Sequence, residues 1–241
     1  MLDAYRSPLL LLVQMNIQRD YEEAFQSWYY HHVPKLLEIP GWHWGRRYKG
    51  VKGDTKWLAL YAVEDMEALT RVMAVDNANK DARAIAERSL FDGIPGKTDV
   101  ISNVYEQLSG GHLCNPFLRN DHYLSVVMAD VADPSKEAEW NAWYDHSHVP
   151  NLVKIPGYLS GARFRIKSDP RFGQKKMGPK YLALYEWEGP HCLETLGNPE
   201  TMRPEAKAEL AEWHSYGLPL AKNTAWNVYE PIATWRSFRQ E

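Results

Sequence analysis

The sequence predicts an α+β chain of two tandem βαββαβ units, packed sheet to sheet as a fused pseudo-dimeric barrel. Three observations predict it. Blocks of sequence occur twice in the same order, so the chain reads as a tandem duplication. Within each copy, strand-length apolar runs and helical patterns follow the order strand, helix, strand, strand, helix, strand, the split βαβ arrangement of a ferredoxin-like unit. Such a sheet carries helices on one face only, and the second copy can cover the other.

The duplicated blocks are explicit. Trp28-Tyr29-Tyr30-His31-His32-Val33-Pro34, followed by Ile39-Pro40-Gly41, returns as Trp143-Tyr144-Asp145-His146-Ser147-His148-Val149-Pro150, followed by Ile155-Pro156-Gly157. The first version is one residue shorter between the Trp-Tyr pair and His-Val-Pro, which is expected to leave Tyr29 out of register with Tyr144. Lys56-Trp57-Leu58-Ala59-Leu60-Tyr61 matches Lys180-Tyr181-Leu182-Ala183-Leu184-Tyr185, and Asn103-Val104-Tyr105-Glu106 matches Asn227-Val228-Tyr229-Glu230.

The elements of the first unit, residues 8–107, follow from local pattern. Leu9 to Met15 is an apolar run of strand length. From Tyr21 to His31, Phe25 and Trp28 share a helical face. Pro34 is expected to stop that helix or start a new turn, since proline lacks the amide donor. Pro40-Gly41 breaks the chain before strands Trp42–Tyr48 and Trp57–Val63. A helix is expected over Met66–Val75, over Lys80–Ser89, or over both with a break, and Val100–Gln107 closes the unit. Residues 108–121, with Gly110-Gly111 and Asn115-Pro116, read as a linker. The second unit, 122–231, repeats the order: strand Tyr123–Ala129, a helix from Ser135 to His146 in which Trp140 and Trp143 answer Phe25 and Trp28, strands Tyr158–Ile166 and Tyr181–Trp187, helix Glu205–His214 and strand Thr224–Glu230. Ser168–Pro179 is a longer loop than its counterpart, and 232–241 is expected as a surface tail.

Composition narrows the function classes. Of 241 residues, 44% are hydrophobic and 24% charged, ordinary for a soluble globular protein, and the net charge of -3 leaves no electrostatic footprint for nucleic acid or an anionic membrane. The longest apolar run is too short to span a bilayer, and no leader pattern opens the chain. Two cysteines, Cys114 and Cys192, suggest neither a disulfide framework nor a Cys-rich metal site, and a cytoplasmic protein is the expectation. Ten Trp and fourteen Tyr suit either an aromatic core or a pocket that orients an organic ligand.

The pattern Trp-Tyr-x-x-x-His-Val-Pro, then Leu, then Ile-Pro-Gly, resembles the EthD-like branch of the dimeric α/β-barrel superfamily. Trp143, Tyr144, His148, Pro150, Pro156 and Gly157 carry the match, with His32, Pro34, Pro40 and Gly41 in the first unit. The resemblance covers most of both units. It implies a pocket between the sheet and the helices of one unit. Relatives include cofactor-free monooxygenases, lactone isomerases, polyketide cyclases and aldol-type lyases, with haem enzymes in more distant branches, so fold analogy does not choose a chemistry.

His148 is the first candidate for catalysis, because imidazole takes and returns a proton near neutral pH. Tyr144 precedes it by one helical turn and is a candidate donor to an oxyanion; Asp145 or His146 is a candidate to orient the imidazole. The bland alternative is a histidine capping the helix C-terminus. His32 is the first-unit counterpart, beside Tyr29, and activity there or in both units stays open. Arg163 and Arg47 align on the second strands as substrate clamps or as surface ion pairs. Asn227 with Tyr229 shares one strand face; Trp28, Trp143, Trp213 and His214 are further candidate binding residues, His214 as a second proton carrier. Four histidines with nearby carboxylates raise a metal site as a rival, but His146 and His148 do not share a helical face and the helical His-x-x-x-His pair of zinc hydrolases is absent, so no metal and no cofactor is expected. His43, His112, His122 and His191 are expected in loops or at strand edges, in solvent. No phosphate-binding loop or nucleophile elbow occurs.

The expectation is therefore a cofactor-independent enzyme that abstracts a proton beside the carbonyl of a small aromatic or apolar ketone, lactone or organic acid, of lyase, isomerase or cyclase type. A cofactor-free monooxygenase is a close variant, and a non-catalytic ligand-binding or stress-response module is the rival from another class. The partner is a small molecule, with a homodimer of the fused barrel open.

Overall fold

A computed structural model describes residues 9–111, 113, 121–172 and 178–237. Its strands are β1 (Leu9–Ile17), β2 (Trp42–Lys52), β3 (Trp57–Val63), β4 (Lys97–Gly110), β5 (Tyr123–Val131), β6 (Tyr158–Ile166), β7 (Tyr181–Trp187) and β8 (Ala221–Arg236). They close an antiparallel barrel in the order β1-β3-β2-β8-β5-β7-β6-β4. The seams between the halves are β2 against β8 and β4 against β6.

Closure explains why the strand runs lack polar alternation. A barrel wrapped in helices buries both faces of a strand, so successive side chains find apolar surroundings on either side. Leu10, Leu12, Leu58, Leu60, Leu124, Val126, Leu182 and Leu184 point inward to one core shared by both halves. The alternating set faces the helices: Leu9, Leu11, Trp57 and Tyr61 in the first half, Tyr181, Ala183, Tyr185 and Trp187 in the second. Each fully buried side chain of this kind contributes about 1.5–3 kcal/mol relative to exposure.

In the first half α1 (Glu22–Leu36) buries Phe25, Tyr29, Val33 and Leu36. It runs through Pro34, which was expected to stop it. The bond that proline forfeits is to the carbonyl of Tyr30, on the exposed side of the last turn, where water can replace it. Both expected following helices form, with a break: α2 (Met66–Met73) and α3 (Ala82–Gly93), each started by an aspartate, Asp65 or Asp81, that accepts from a first-turn amide.

In the second half α4 (Glu137–Trp143) passes through a π turn, Tyr144–His148, into α5 (Val149–Leu152). The buried apolar side chains are Trp140, Tyr144, Val149 and Leu152. They repeat the first-half spacing except for one extra residue between Tyr144 and Val149. The π turn absorbs that residue, with the Val149 amide donating to the Tyr144 carbonyl. Tyr29 and Tyr144 therefore hold the same place on their helices, contrary to the expected loss of register. Two further helices, α6 (Cys192–Thr195) and α7 (Pro204–Glu212), follow β7, and α7 runs into a second π turn, Trp213–Gly217.

Several strands run longer than expected, β2 to Lys52, β4 from Lys97 and β8 from Ala221. Residues 108–110 extend β4, and 232–236 continue β8 against β2 rather than forming a tail, because the seam supplies partners for their backbone groups. The Pro-Gly pairs after the helices are structural. Gly41 and Gly157 sit at φ +84 and +105, and a Cβ on Gly41 would lie 2.4 Å from that of Ala68. Among the described residues no helix is long and apolar enough to cross a membrane.

Candidate active site

Between the outer face of β5, β7 and β8 and the second-half helices lies a cavity of about 190 Å³. Its wall is mainly apolar and aromatic, with Leu152, Met202, Leu210, Trp213 and Trp226 among the lining residues. Four polar side chains matter on it: His148, Glu209, Tyr144 and Tyr185. A larger depression of about 590 Å³ at the barrel rim, lined by Glu64, Asp65, Glu106 and Lys167 among others, is open to solvent and carries no comparable cluster among the described residues.

His148 is held by aromatic rings and by an acid from another helix. Trp143 stacks on its ring at 4.8 Å and 21°, Trp213 lies near-parallel at 5.8 Å, and Tyr144 meets it edge-on at 4.9 Å. The Trp143 indole nitrogen donates to Glu212 Oε1 at 2.7 Å, tying the end of α4 to the end of α7. His148 Nδ1 lies 3.3 Å from Glu209 Oε2 on α7. This is ion-pair distance without hydrogen-bond alignment, so neither atom has a hydrogen-bond partner among the described residues. The Tyr185 hydroxyl is buried beside that of Tyr144, again without an aligned hydrogen bond among the described residues. Burial raises the Tyr185 pKa well above 10, and the neighbouring Tyr144 adds to the shift. Burial raises Tyr144 too, with Tyr185 and Arg163 opposing. Both phenols are therefore neutral donors at physiological pH.

The sequence candidates divide into those the fold brings to the cavity and those it does not. His148, Tyr144 and Trp213 line it, and Trp143 backs His148. Asp145 does not orient the imidazole: it pairs with Arg163 and accepts from Ser109, because β6 brings the guanidinium closer than His148. His146 and His214 are exposed and do not line the cavity. A C-terminal cap is not what His148 provides, since α5 continues beyond it.

Arg163 is buried, neither a surface ion pair nor a wall residue. It holds Asp145 and the Asn141 side chain (2.7 Å) and stacks over Tyr144 at 4.3 Å. Arg47 is its buried counterpart, over Tyr29 at 4.0 Å and bonded to Gln26. Asn227 and Tyr229 lie on the barrel side of β8: the Tyr229 hydroxyl accepts from Gln14 at 2.8 Å, and Asn227 accepts from the Thr55 amide. Of the loop histidines, His191 is exposed, His43 and His122 are half-buried rather than solvated, and His112, like Cys114, lies outside the described residues.

The first half carries a similar constellation with one difference. Trp28 stacks on His32 at 4.1 Å, Tyr29 is edge-on to it, and Phe91 packs on Trp28 as Trp213 does on Trp143. His32 Nδ1 lies 3.0 Å from Glu87 Oε2, while the other carboxylate oxygen takes Lys35 Nζ at 2.6 Å. Burial lowers the His32 pKa, with Glu87 opposing; hydrogen bonding from His32, then from Lys35, holds Glu87 down at about 2. The position of Lys35, directly after Val-Pro, is Asn151 in the second half.

Sequence reasoning missed Glu209, Glu87 and Tyr185. A signal existed for all three. Ala84-Ile85-Ala86-Glu87 and Ala206-Lys207-Ala208-Glu209 share Ala-x-Ala-Glu, and Tyr185 ends a duplicated block. No three His, Cys, Asp or Glu side chains converge as a metal site among the described residues.

No known sequence family and no curated protein matches the chain. Among solved structures it is similar to an anthrone oxidase-like protein, at 14% identity over 98% of this chain and 96% of that one, TM-score 0.68. A provisionally assigned monooxygenase of Fusobacterium nucleatum aligns at 11% identity over 95% and 94%, TM-score 0.65. A chlorite dismutase mutant from Candidatus Nitrospira defluvii aligns at 8% over 97% and 96%, TM-score 0.55. Likeness at such identity establishes the fold alone.

Proposed function

We propose that this chain is an enzyme that removes a proton from the carbon beside a carbonyl, acting on a small, mostly apolar compound held in the second-half cavity. The observation that carries the reading is the His148–Glu209 pair, His148 buried and Glu209 half-buried, lining that cavity together with Tyr185 and Tyr144. His148 takes the proton. Glu209 at Nδ1 orients the ring and stabilises the imidazolium, as a carboxylate does behind any histidine base. Tyr185, seconded by Tyr144, donates to the oxygen of the enolate, where charge develops. Return of the proton to another carbon gives an isomerase outcome; a lyase outcome follows where the enolate pair expels a group from the β-carbon as the new double bond forms, and the proton on His148 goes to that leaving group. Open space beside His148 favours catalysis over a purely packed or structural role.

The second half is the working one in this reading, because Glu209 has no competing lysine among the described residues, whereas Lys35 shares Glu87 with His32. The same reading takes the chain as a tandem duplication of an EthD-like, ferredoxin-like unit, with units over 8–107 and 122–231.

A second outcome is favoured by the names of two neighbours, an anthrone oxidase-like protein and an assigned monooxygenase. The carbanion formed at His148 would meet dioxygen and be oxidised to a ketone. The balance is one methylene and one dioxygen consumed, one carbonyl and one water formed: one oxygen atom stays on the carbon, and the other leaves with both methylene hydrogens. One experiment tests both outcomes. β-Tetralone, a neutral bicyclic ketone, is incubated in deuterium oxide with and without oxygen, and loss of its α-proton signals is followed by NMR. Exchange in both atmospheres, reduced about a hundredfold in Glu209→Gln, supports the proton-transfer reading; oxygen uptake besides selects the second outcome. Exchange that Glu209→Gln leaves untouched refutes the assignment of the pair.

A further inference from the structure

We infer that the cavity selects an uncharged ligand of one or two rings and rejects organic anions, with Glu209 as the residue that sets this preference. The inference rests on the proposed site and narrows its substrate class, which the sequence left open between ketones, lactones and organic acids.

Charge on the wall is the first argument. No Lys or Arg lines the cavity among the described residues, and Glu209 is its one ionisable acid. Beside a neutral His148 the wall carries a net negative charge, and beside an imidazolium it is balanced with nothing to spare for a ligand carboxylate. Two of the cations nearest the wall among the described residues are committed elsewhere. Arg163, behind Tyr144, is paired with Asp145. Lys52 reaches from β2 across the outside of the Trp226 ring, 4.3 Å from its centroid, and donates to the Gly197 carbonyl. An anion entering the cavity would lose its hydration and find no cation in exchange.

Size and the neutral donors give the second. An apolar protein cavity of about 150 Å³ accepts benzene, so about 190 Å³ suits a compact ring system of one or two rings. The polar groups on this side of the cavity are neutral: the Tyr185 hydroxyl beside Tyr144 and the Trp187 indole nitrogen beside Tyr158, both buried and without an aligned hydrogen bond among the described residues. Hydrogen-bond donors of this kind match a ketone or amide oxygen.

The test uses a pair of probes alike in shape and different in charge, naphthalene carboxamide and naphthalene carboxylate, titrated calorimetrically into the whole protein at neutral pH. The carboxamide is expected to bind, and the carboxylate to bind about tenfold to a hundredfold more weakly, from one like-charge contact at a few ångströms in a partly screened site. In Glu209→Gln the gap is expected to close to within about threefold, with carboxamide affinity retained. Equal or tighter binding of the carboxylate by the wild type overturns the inference, as does a gap that survives Glu209→Gln, or failure of both probes to bind. The wild-type comparison needs no variant, so a misfolded Glu209→Gln does not remove the test. Preference for the carboxamide without any proton exchange in β-tetralone would refute the catalytic reading and leave the ligand class standing.

Discussion

Replacing Glu87 by glutamine should flatten the acid limb of this protein's stability. Glu87 is nearly inaccessible, 2% exposed at its side chain, and its carboxylate accepts from His32 and Lys35. Those contacts hold its pKa at about 2 against an ordinary 4.5. The group therefore stabilises the fold when ionised: the full contribution is present above the unfolded value of 4.5 and is lost as pH falls toward 2. At about 1.4 kcal/mol per unit the difference comes to about 3 kcal/mol, of which about 2 kcal/mol should be gone by pH 3. His32 acts in the same direction. Its pKa is lowered in the fold, so protonating it below its ordinary value also costs stability as pH falls. Urea unfolding of wild type and Glu87→Gln at intervals from pH 7 to pH 3 measures the effect. The variant starts lower, having lost a buried partner for His32 and Lys35, and the two curves should converge as the pH drops. Curves that stay parallel would refute the assignment of Glu87 as an ionised structural acid.

Three further outcomes follow from contacts in the two halves. Arg163→Met should lose about 3 kcal/mol in urea unfolding, because Asp145 is left without its cation, and should leave probe affinity in the folded fraction unchanged; lost affinity at full stability would make Arg163 a ligand anchor after all. Gly41→Ala should cost more than about 1 kcal/mol, since φ is +84 and the new methyl would meet the Ala68 side chain, and thermal melts that match wild type would contradict this. Asn151→Lys should reproduce the Lys35 arrangement around Glu209 and lower β-tetralone exchange about tenfold or more, with the fold intact by circular dichroism; undiminished exchange would mean that Lys35 does not distinguish the halves.

The strands were legible because closure buries both their faces, and runs such as Leu9–Leu12 and Trp57–Val63 carry that burial directly in composition. Helix positions were legible from Phe25, Trp28, Trp140 and Trp143. The one-residue length difference was not, since sequence alignment reads an insertion as a shift whereas a helix can take it up in one π turn and keep Trp143 over His148. The partner of His148 was hidden for a different reason. Proximity in sequence pointed to Asp145, but the helix turns that acid toward Arg163 on β6, and the acid that reaches the imidazole comes from α7. Asn227 and Tyr229 share a face as expected, yet only strand register says which face is the barrel interior.

The central claim is that proton transfer belongs to His148 and not to its counterpart. The most direct measurement is β-tetralone exchange in deuterium oxide with His148→Ala and His32→Ala assayed side by side, each at matched folded concentration. Exchange is expected to fall about a hundredfold or more in His148→Ala and to stay within about twofold of wild type in His32→Ala. Equal loss in both variants, or loss in His32→Ala alone, would contradict that claim.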